Sequence, residues 1–134
     1  MNNTIAQIVI CKDIFSEKTI ELVDPILMLE VPFLPTVYSF KIFVNFYSEN
    51  LNDGKEHFVR VSCLHKDTEE LIIDSEGPTI IPTEKFHLGM HANEIILKNK
   101  GTYEVLVYID DKKISSQSFE IKVSKQNKEG DCNE

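Results

Sequence analysis

Apolar and polar residues alternate along most of the chain with a period of two. The clearest run is 36–47, where one side of the pattern carries Tyr38, Phe40, Ile42, Val44 and Phe46. Successive side chains of an extended strand point to opposite faces, so this spacing places all of them on one face. The pattern therefore predicts a long strand over Thr36–Tyr47 with an unbroken apolar face.

The last third of the chain, residues 93–123, shows the same alternation in three runs separated by short connections. Gly101 and the pair Asp110-Asp111 bracket the middle run with turn-forming residues. An immunoglobulin-like sandwich places a buried tyrosine just after the corner between its strands E and F, with the hydroxyl bonded to nearby backbone. We therefore predict structural roles for Gly101 and Tyr103, with the Tyr103 hydroxyl bonded within the turn at 98–101.

Shorter alternating runs predict further strands over the rest of the chain. They cover 4–11, 19–31, 56–65 and 71–73. The second is expected to split at Asp24-Pro25 or to lie on an edge, because proline cannot donate to a ladder. Residues 74–85 are expected to form an irregular crossover, although Leu71–Ile81 also reads as one strand, as two short strands or as none.

The absence of a sustained helical period argues against a parallel sheet, which needs helices as crossovers. The predicted fold class is all-β, an antiparallel immunoglobulin-like β-sandwich of about seven or eight strands. Residues 1–124 are expected to form a single domain, and the polar residues 125–134 a disordered tail.

Charge and cysteine content narrow the classes of function. The formal net charge is −8, and Arg60 is the single arginine, so we expect no nucleic-acid binding, which depends on clustered basic residues. No signal peptide or stretch of transmembrane length is apparent, so we expect no membrane contact. The three cysteines, Cys11, Cys63 and Cys132, are then expected to be reduced thiols in a cytoplasmic protein.

A search for chemistry is largely negative. His87 and His91 have the spacing of a helical metal pair, but their surroundings favour strand or loop and no further ligands complete a zinc site. Asp110-Asp111 is better explained by a turn than by calcium, which needs about six to eight oxygen ligands. We expect no catalytic residue, no metal and no cofactor.

One feature exceeds what a sandwich requires, because apolar residues recur on faces that should point outward. The residues concerned are Val37, Phe43, Tyr47, Leu106 and Tyr108. If 36–47 and 102–109 are strands C and F of an immunoglobulin-like order, they are neighbours, and these side chains form one apolar surface. Such a surface marks an interaction site, unless a loop such as 74–85 folds over it.

The segments TIAQIVICKDIF, PFLPTVYSFKIFVNF and NKGTYEVLVYIDDKKI followed by SFEIKV carry a resemblance. The chain resembles a family of small, uncharacterised β-sandwich proteins of bacteria and their phages or mobile elements. The resemblance spans Thr4 to Val123 and implies an immunoglobulin-like fold without a known enzymatic activity. It supplies no functional residues.

Two hypotheses of function follow. The first is a non-enzymatic cytoplasmic protein-interaction module, encoded by a phage or mobile element, that binds a partner protein or forms a homodimer. The alternative is a small acidic inhibitor that occupies a basic site on a host or defence protein. A dense carboxylate face would favour the inhibitor, whereas a mixed surface with an apolar patch would favour the module.

Overall fold

The computed structural model describes residues 4–124, and the predicted polar tail at 125–134 lies outside them. These residues form nine strands, slightly more than the predicted seven or eight. The strands are β1 (Ile5–Ser16), β2 (Ile20–Pro25), β3 (Met28–Val31), β4 (Thr36–Tyr47), β5 (Glu56–His65), β6 (Leu71–Ile80), β7 (Lys85–Leu97), β8 (Gly101–Ile109) and β9 (Lys112–Val123). No helix within residues 4–124 is long and apolar enough to cross a membrane.

The strands form two sheets, and the predicted all-β class is confirmed. The smaller sheet has the order β2-β1-β4-β7, and the larger sheet has the order β3-β9-β8-β5-β6. All pairs are antiparallel except β3 with β9, which are parallel from Met28 opposite Glu120 to Val31 opposite Val123. The predicted antiparallel immunoglobulin-like sandwich is thus confirmed, and the short edge strand β3 adds one parallel pair to it.

A break at Pro25 explains how the chain reaches that edge. β2 ends at Pro25, and the residue before it, Asp24, has φ 52°. Proline cannot continue a ladder, so the chain leaves the edge of the smaller sheet and joins the larger sheet as β3. The predicted split at Asp24-Pro25 is confirmed.

The core lies between the inward faces of the two sheets. The smaller sheet contributes Ile8, Ile10, Phe40, Ile42, Val44 and Phe46, and the larger sheet contributes Val59, Val61, Tyr103, Val105, Val107, Phe119 and Ile121. Burial of an aliphatic or phenylalanine side chain stabilises a fold by about 1.5–3 kcal/mol. The sequence also predicts correctly which side of β4 faces the core. Its even-numbered apolar positions from Phe40 to Phe46 are all buried.

The segment 66–92 contains two long edge strands. β6 pairs with β5 alone and β7 pairs with β4 alone among the described residues. The expected irregular crossover at 74–85 is wrong, because β6 continues through Gly77-Pro78 to Ile80. An edge strand tolerates proline, since it needs ladder bonds on one side only.

The corner before β8 is held by two buried side chains, Tyr103 and His65, and by the backbone of Gly101. The Tyr103 side chain is 1% exposed, and its hydroxyl donates to the Asn99 carbonyl at 2.6 Å, within the turn that the sequence indicates. His65 packs against the Tyr103 ring, and its Nε2 lies 2.9 Å from the Lys100 carbonyl oxygen. Gly101 has φ 117°, and a Cβ there would lie 3.3 Å from His65 Nε2, so glycine suits both the turn and the contact.

Candidate interaction surface

The five residues predicted to form one interaction surface lie on two different sheets. Val37, Phe43 and Tyr47 are on β4 in the smaller sheet, whereas Leu106 and Tyr108 are on β8 in the larger sheet. β4 pairs with β1 and β7, and the neighbours of β8 are β5 and β9. The expectation that they share one face is wrong, because alternation identifies a strand but does not name its partners.

On the smaller sheet, the outward residues of β4 have separate environments. Phe43 is 8% exposed and packs beside the His87 ring, with centroids 5.6 Å apart. Val37 is exposed opposite Ile96, at the far end of the strand from Tyr47. Because a strand rises about 3.4 Å per residue, roughly 34 Å separates Val37 from Tyr47. These three side chains do not make one patch.

On the larger sheet, outward side chains from β5 and β8 do lie together. This surface, called here the Leu106 face, is defined by Phe58, Arg60, Ser62, Leu106 and Tyr108. Arg60 is opposite Tyr108, and Ser62 is opposite Leu106 in the ladder. Phe58 follows on the same face of β5 and is 46% exposed. The predicted residues Leu106 and Tyr108 thus share one surface of mixed character, in which Leu106 is buried at 7% exposure and Tyr108 is half-buried.

Arg60 organises the centre of the Leu106 face. Its guanidinium Nε and Nη2 donate to the two carboxylate oxygens of Asp74 at 2.8 and 3.1 Å. The same guanidinium lies 5.5 Å from the centroid of the Tyr108 ring. The bonds from Arg60 hold the pKa of Asp74 below its usual value. A forked ion pair stacked on an aromatic ring holds these side chains in defined positions.

A depression of about 460 Å³ opens beside this ion pair. Among the residues that line it are Arg60, Ser62, Leu64, Leu71, Leu106 and Tyr108. Ser62 is 2% exposed, and its hydroxyl has no hydrogen-bond partner among residues 4–124. A buried hydroxyl without a partner costs free energy, so this group favours a ligand or partner that can bond to it.

A second cluster ties two loops together at one end of the sandwich. His57 is 8% exposed, with Nδ1 2.7 Å from Asp110 Oδ2 and Nε2 2.9 Å from Asp53 Oδ1. Asp110 also accepts a bond from the Phe58 amide at 2.9 Å through Oδ1. The bond to Asp110, followed by the one to Asp53, raises the pKa of His57.

The same contacts act on both carboxylates. Hydrogen bonding from His57 lowers the pKa of Asp110 and of Asp53. Both imidazole nitrogens face carboxylate oxygens, so each carries a proton in the charged form and neither is free to act as a base. From the sequence, Asp53 and Asp110 are predicted only as turn residues. Nothing in the sequence indicates that both contact His57. The cluster is a structural clasp, with no nucleophile in its hydrogen bonds.

The two histidines that have helical metal spacing lie on a strand instead. His87 and His91 both point outward from β7. Four residues along a strand span about 13 Å, which is too far for two ligands of one ion. Among residues 4–124, no three or more His, Cys, Asp and Glu side chains are grouped to hold a metal.

The two free cysteines in the described chain are buried. Burial raises the pKa of the Cys63 thiol to about 12, and burial likewise raises that of Cys11. A thiol that stays protonated is a poor nucleophile, so these side chains serve as small core residues.

An open groove separates the edge strands β6 and β7, which face each other across the sandwich. Its volume is about 550 Å³, and it is lined by Val59 and Val61 of β5, by 75–79 of β6 and by 86–91 of β7. We call it the β7 groove. It exposes part of the core at the side of the molecule where neither sheet continues.

The two facing sheets and their strand order define an immunoglobulin-like β-sandwich. The chain belongs to the family of unknown function DUF6941, which matches residues 8–122. No curated protein matches the chain. The sequence's resemblance to an uncharacterised immunoglobulin-like family is thus confirmed as to fold and to unknown function.

Several solved structures are similar to this chain at low identity. A β-glucosidase from Listeria innocua is 8% identical with a TM-score of 0.51, covering 91% of this chain and 16% of that enzyme. An immunoglobulin-like protein from Pseudomonas aeruginosa is 11% identical with a TM-score of 0.49, covering 90% and 97%. The CARDB domain of a Pyrococcus furiosus protein, in complex with di-metal ions, is 11% identical with a TM-score of 0.47, covering 92% and 90%.

The likeness to the β-glucosidase shows the fold alone. The chain spans 16% of that enzyme, so it corresponds to a small part of the larger protein. A shared sandwich does not carry an activity with it.

Proposed function

We propose that this domain is a non-enzymatic protein-interaction module and that the Leu106 face binds a partner protein. The observation that carries the proposal is the combination of one exposed and one half-buried aromatic side chain, Phe58 and Tyr108, with a buried, unpartnered polar group. Tyr108 lines the same depression as the Ser62 hydroxyl, which has no partner among residues 4–124, and Phe58 presents further aromatic surface on the same face of β5. Aromatic and arginine side chains dominate protein interfaces, and Arg60 lies over the Tyr108 ring here.

The Leu106 face could not bind a partner if a loop of the same chain covered it. The segment with that expected role, 74–85, instead forms the second half of β6 and the connection to β7. It extends the larger sheet edgewise and does not fold over the Leu106 face. The face therefore remains available within the part of the chain that the structure describes.

Four of the 22 acidic residues of the chain form ion pairs within residues 4–124, and these four favour a module over an inhibitor. Asp74 is paired with Arg60, Asp53 and Asp110 are paired with His57, and Glu70 lies 3.4 Å from Lys98. These pairs occur at different places on the sandwich and mix both signs of charge. An inhibitor of a basic site would be better served by unpaired carboxylates on one face. Cytoplasmic location and an origin in a phage or mobile element stay predictions from sequence.

Two matched double variants test the proposal. Phe58→Ser with Tyr108→Ser removes aromatic area from the Leu106 face, and Val37→Ser with Ile96→Ser removes exposed apolar area from the smaller sheet. Wild type and both variants are immobilised and exposed to extract of the source cells. The protein captured by wild type is then purified and titrated against all three.

We expect a partner that the control variant binds like wild type and the face variant binds at least about tenfold more weakly. Thermal melts of both variants should stay close to wild type, since all the substituted side chains are partly or largely exposed. Equal affinity of both variants, or no enriched protein, would overturn the proposal. Light scattering tests for self-association by measuring the molar mass in solution. If the protein forms a homodimer through this face, only the face variant should have the mass of a monomer.

A further inference from the structure

The outer edge of β7 has unpaired backbone groups along its length. β7 pairs with β4 on one side, and no other strand within residues 4–124 pairs with its second side. Alternate N–H and C=O groups of such an edge strand point away from the sheet and can pair with an added strand. Residues 86–91 of β7 contain no proline and no Lys, Arg, Asp or Glu, and the inward residues among them are Phe86, Leu88 and Met90; the charged residues of β7, Lys85 and Glu94, lie outside this stretch. These are features that favour pairing, because natural edges are usually protected by proline or charge.

The core behind this edge is incompletely covered. Phe86, Leu88 and Met90 point inward but remain only half-buried. The β6 positions across the groove are Gly77 and Ser75, which are too small to reach them. A Cβ built at Gly77 would have no atom within 4 Å. The space of the β7 groove is therefore open to side chains from another segment.

An occupant must match this arrangement on both of its faces. A strand added beside β7 would point alternate side chains into the β7 groove, where apolar groups would bury Leu88 and Met90. Its other side chains would lie beside the outward residues of β7, which are Lys85, His87, Gly89 and His91. Lys41 on β4 is opposite His91, and the Ile14 side chain lies over Gly89. Residues 85–91 include no carboxylate; the nearest ones in the chain are Glu84, directly before β7, and Glu94, three residues beyond His91. Acidic side chains on the occupant would therefore complement this edge.

The same comparison argues against a second copy of this chain. Antiparallel pairing of residues 85–91 with the same residues of a second copy, centred on Leu88, would set Lys85 opposite His91 across the new ladder. Like groups placed opposite each other in a sheet are unfavourable. The edge fits a foreign strand better than it fits its own copy.

We infer that the β7 edge binds an extended segment of a partner protein. This segment alternates apolar and acidic residues and joins the smaller sheet as an additional strand. Backbone pairing supplies affinity in this mode, and the side-chain alternation supplies specificity. The edge is distinct from the Leu106 face, so either surface can fail its test without the other.

The test uses a capped peptide of about eight residues that alternates valine and glutamate, a length typical of strands. Binding is followed by amide chemical shifts of the ¹⁵N-labelled protein, at peptide concentrations up to about 1 mM, where affinities of weak peptide complexes are measurable. The comparison peptides alternate valine and lysine, or carry a methyl group on every backbone nitrogen. The protein variants are Lys85→Glu at the edge, Lys112→Glu as the matched charge change elsewhere, and Gly77→Val within the groove.

We expect the valine–glutamate peptide to shift amides of 85–91 and to slow their hydrogen exchange. The lysine peptide and Lys85→Glu should each weaken binding at least about fivefold, because one favourable charge contact is replaced by repulsion. Gly77→Val should weaken it by filling the groove, and Lys112→Glu should not. The methylated peptide should not bind.

Three results would overturn the inference. One is the absence of shifts in 85–91 with the valine–glutamate peptide. Another is equal binding of the methylated peptide, which would exclude backbone pairing. The last is protection of β7 amides without peptide in a particle of dimer mass, which would assign the edge to a second copy.

Discussion

The Nδ1 atom of His57 lies 2.7 Å from Oδ2 of Asp110, a residue 53 positions further along the chain. The contact joins the start of β5 to the turn between β8 and β9. Both turn residues, Asp110 and Asp111, have positive φ values, 52° and 66°. This is the conformation of a tight type I′ hairpin turn, so the Asp110 carboxylate is held in place by backbone geometry as well as by His57.

This clasp predicts a defined dependence of stability on pH. The folded state raises the pKa of His57 above its usual value of about 6.5, so its contribution is complete below that pH and is lost as pH rises through the raised pKa. The pKa values of Asp53 and Asp110 are lowered, so their contribution is present above about pH 3.9 and is lost as pH falls through the lowered values. The clasp should therefore stabilise the fold most between about pH 4 and 6.5.

Urea unfolding at about pH 5.5 and about pH 9 should reveal this. We expect His57→Gln to cost about 1 kcal/mol at the lower pH and clearly less at the higher one. His91→Gln, an exposed histidine on β7, is the control and should leave the dependence unchanged. The same loss for His57→Gln at both pH values would show that its charge does not matter.

The Tyr103 hydroxyl gives a second prediction. Tyr103→Phe keeps the buried ring and removes the bond to the Asn99 carbonyl. We expect a loss on the order of 1 kcal/mol in the free energy of unfolding, because one buried hydrogen bond is lost. The urea midpoint measures it. Tyr38→Phe, on β4, is a matched control without a described hydroxyl bond, and an equal shift in both variants would contradict the role of the corner.

Phe43 and Tyr108 should respond differently to the same substitution. Phe43 is 8% exposed beside His87, so Phe43→Ser should lower stability by about 2 kcal/mol through lost apolar burial. Tyr108 is only half-buried on the other sheet, so Tyr108→Ser should cost less than half as much. Thermal and urea unfolding of the single variants separate the two. Equal losses would mean that Tyr108 is as integral to the packing as Phe43.

Gly77→Val should stabilise the protein. Gly77 lies in a strand, and a Cβ there meets no atom within 4 Å, so the larger side chain would fit and would partly cover the β7 groove. Replacing a strand glycine reduces the entropy of the unfolded chain and favours the extended backbone, which together contribute about 0.5–1 kcal/mol. A rise in the urea midpoint checks this. Gly101→Val is the opposing control, because φ 117° is strained for valine and stability should fall.

The sequence pattern predicts a residue's environment correctly where that environment depends only on the residue's own strand or turn. The alternation over 36–47 gives the inward face of β4, and the corner before Tyr103 gives the bond to the Asn99 carbonyl. Pro25 likewise ends β2 where the sequence indicates, since the missing amide is a property of that residue. These features depend on the period of a strand or on the chemistry of one residue.

Strand pairing could not be read in the same way. The sequence identifies 36–47 and 102–109 as strands, but only the tertiary structure places them in opposite sheets and so separates Phe43 from Leu106. Gly77-Pro78 reads as a break, and it is tolerated because β6 lies on an edge, a property set by its neighbours. Three further features also depend on which strands are neighbours. They are the contact of His57 with Asp53 and Asp110, the unpartnered Ser62 hydroxyl and the open edge of β7. An alternating pattern specifies which side of a strand is apolar, whereas the partner of that strand is chosen by packing and hydrogen bonding between segments far apart in the chain.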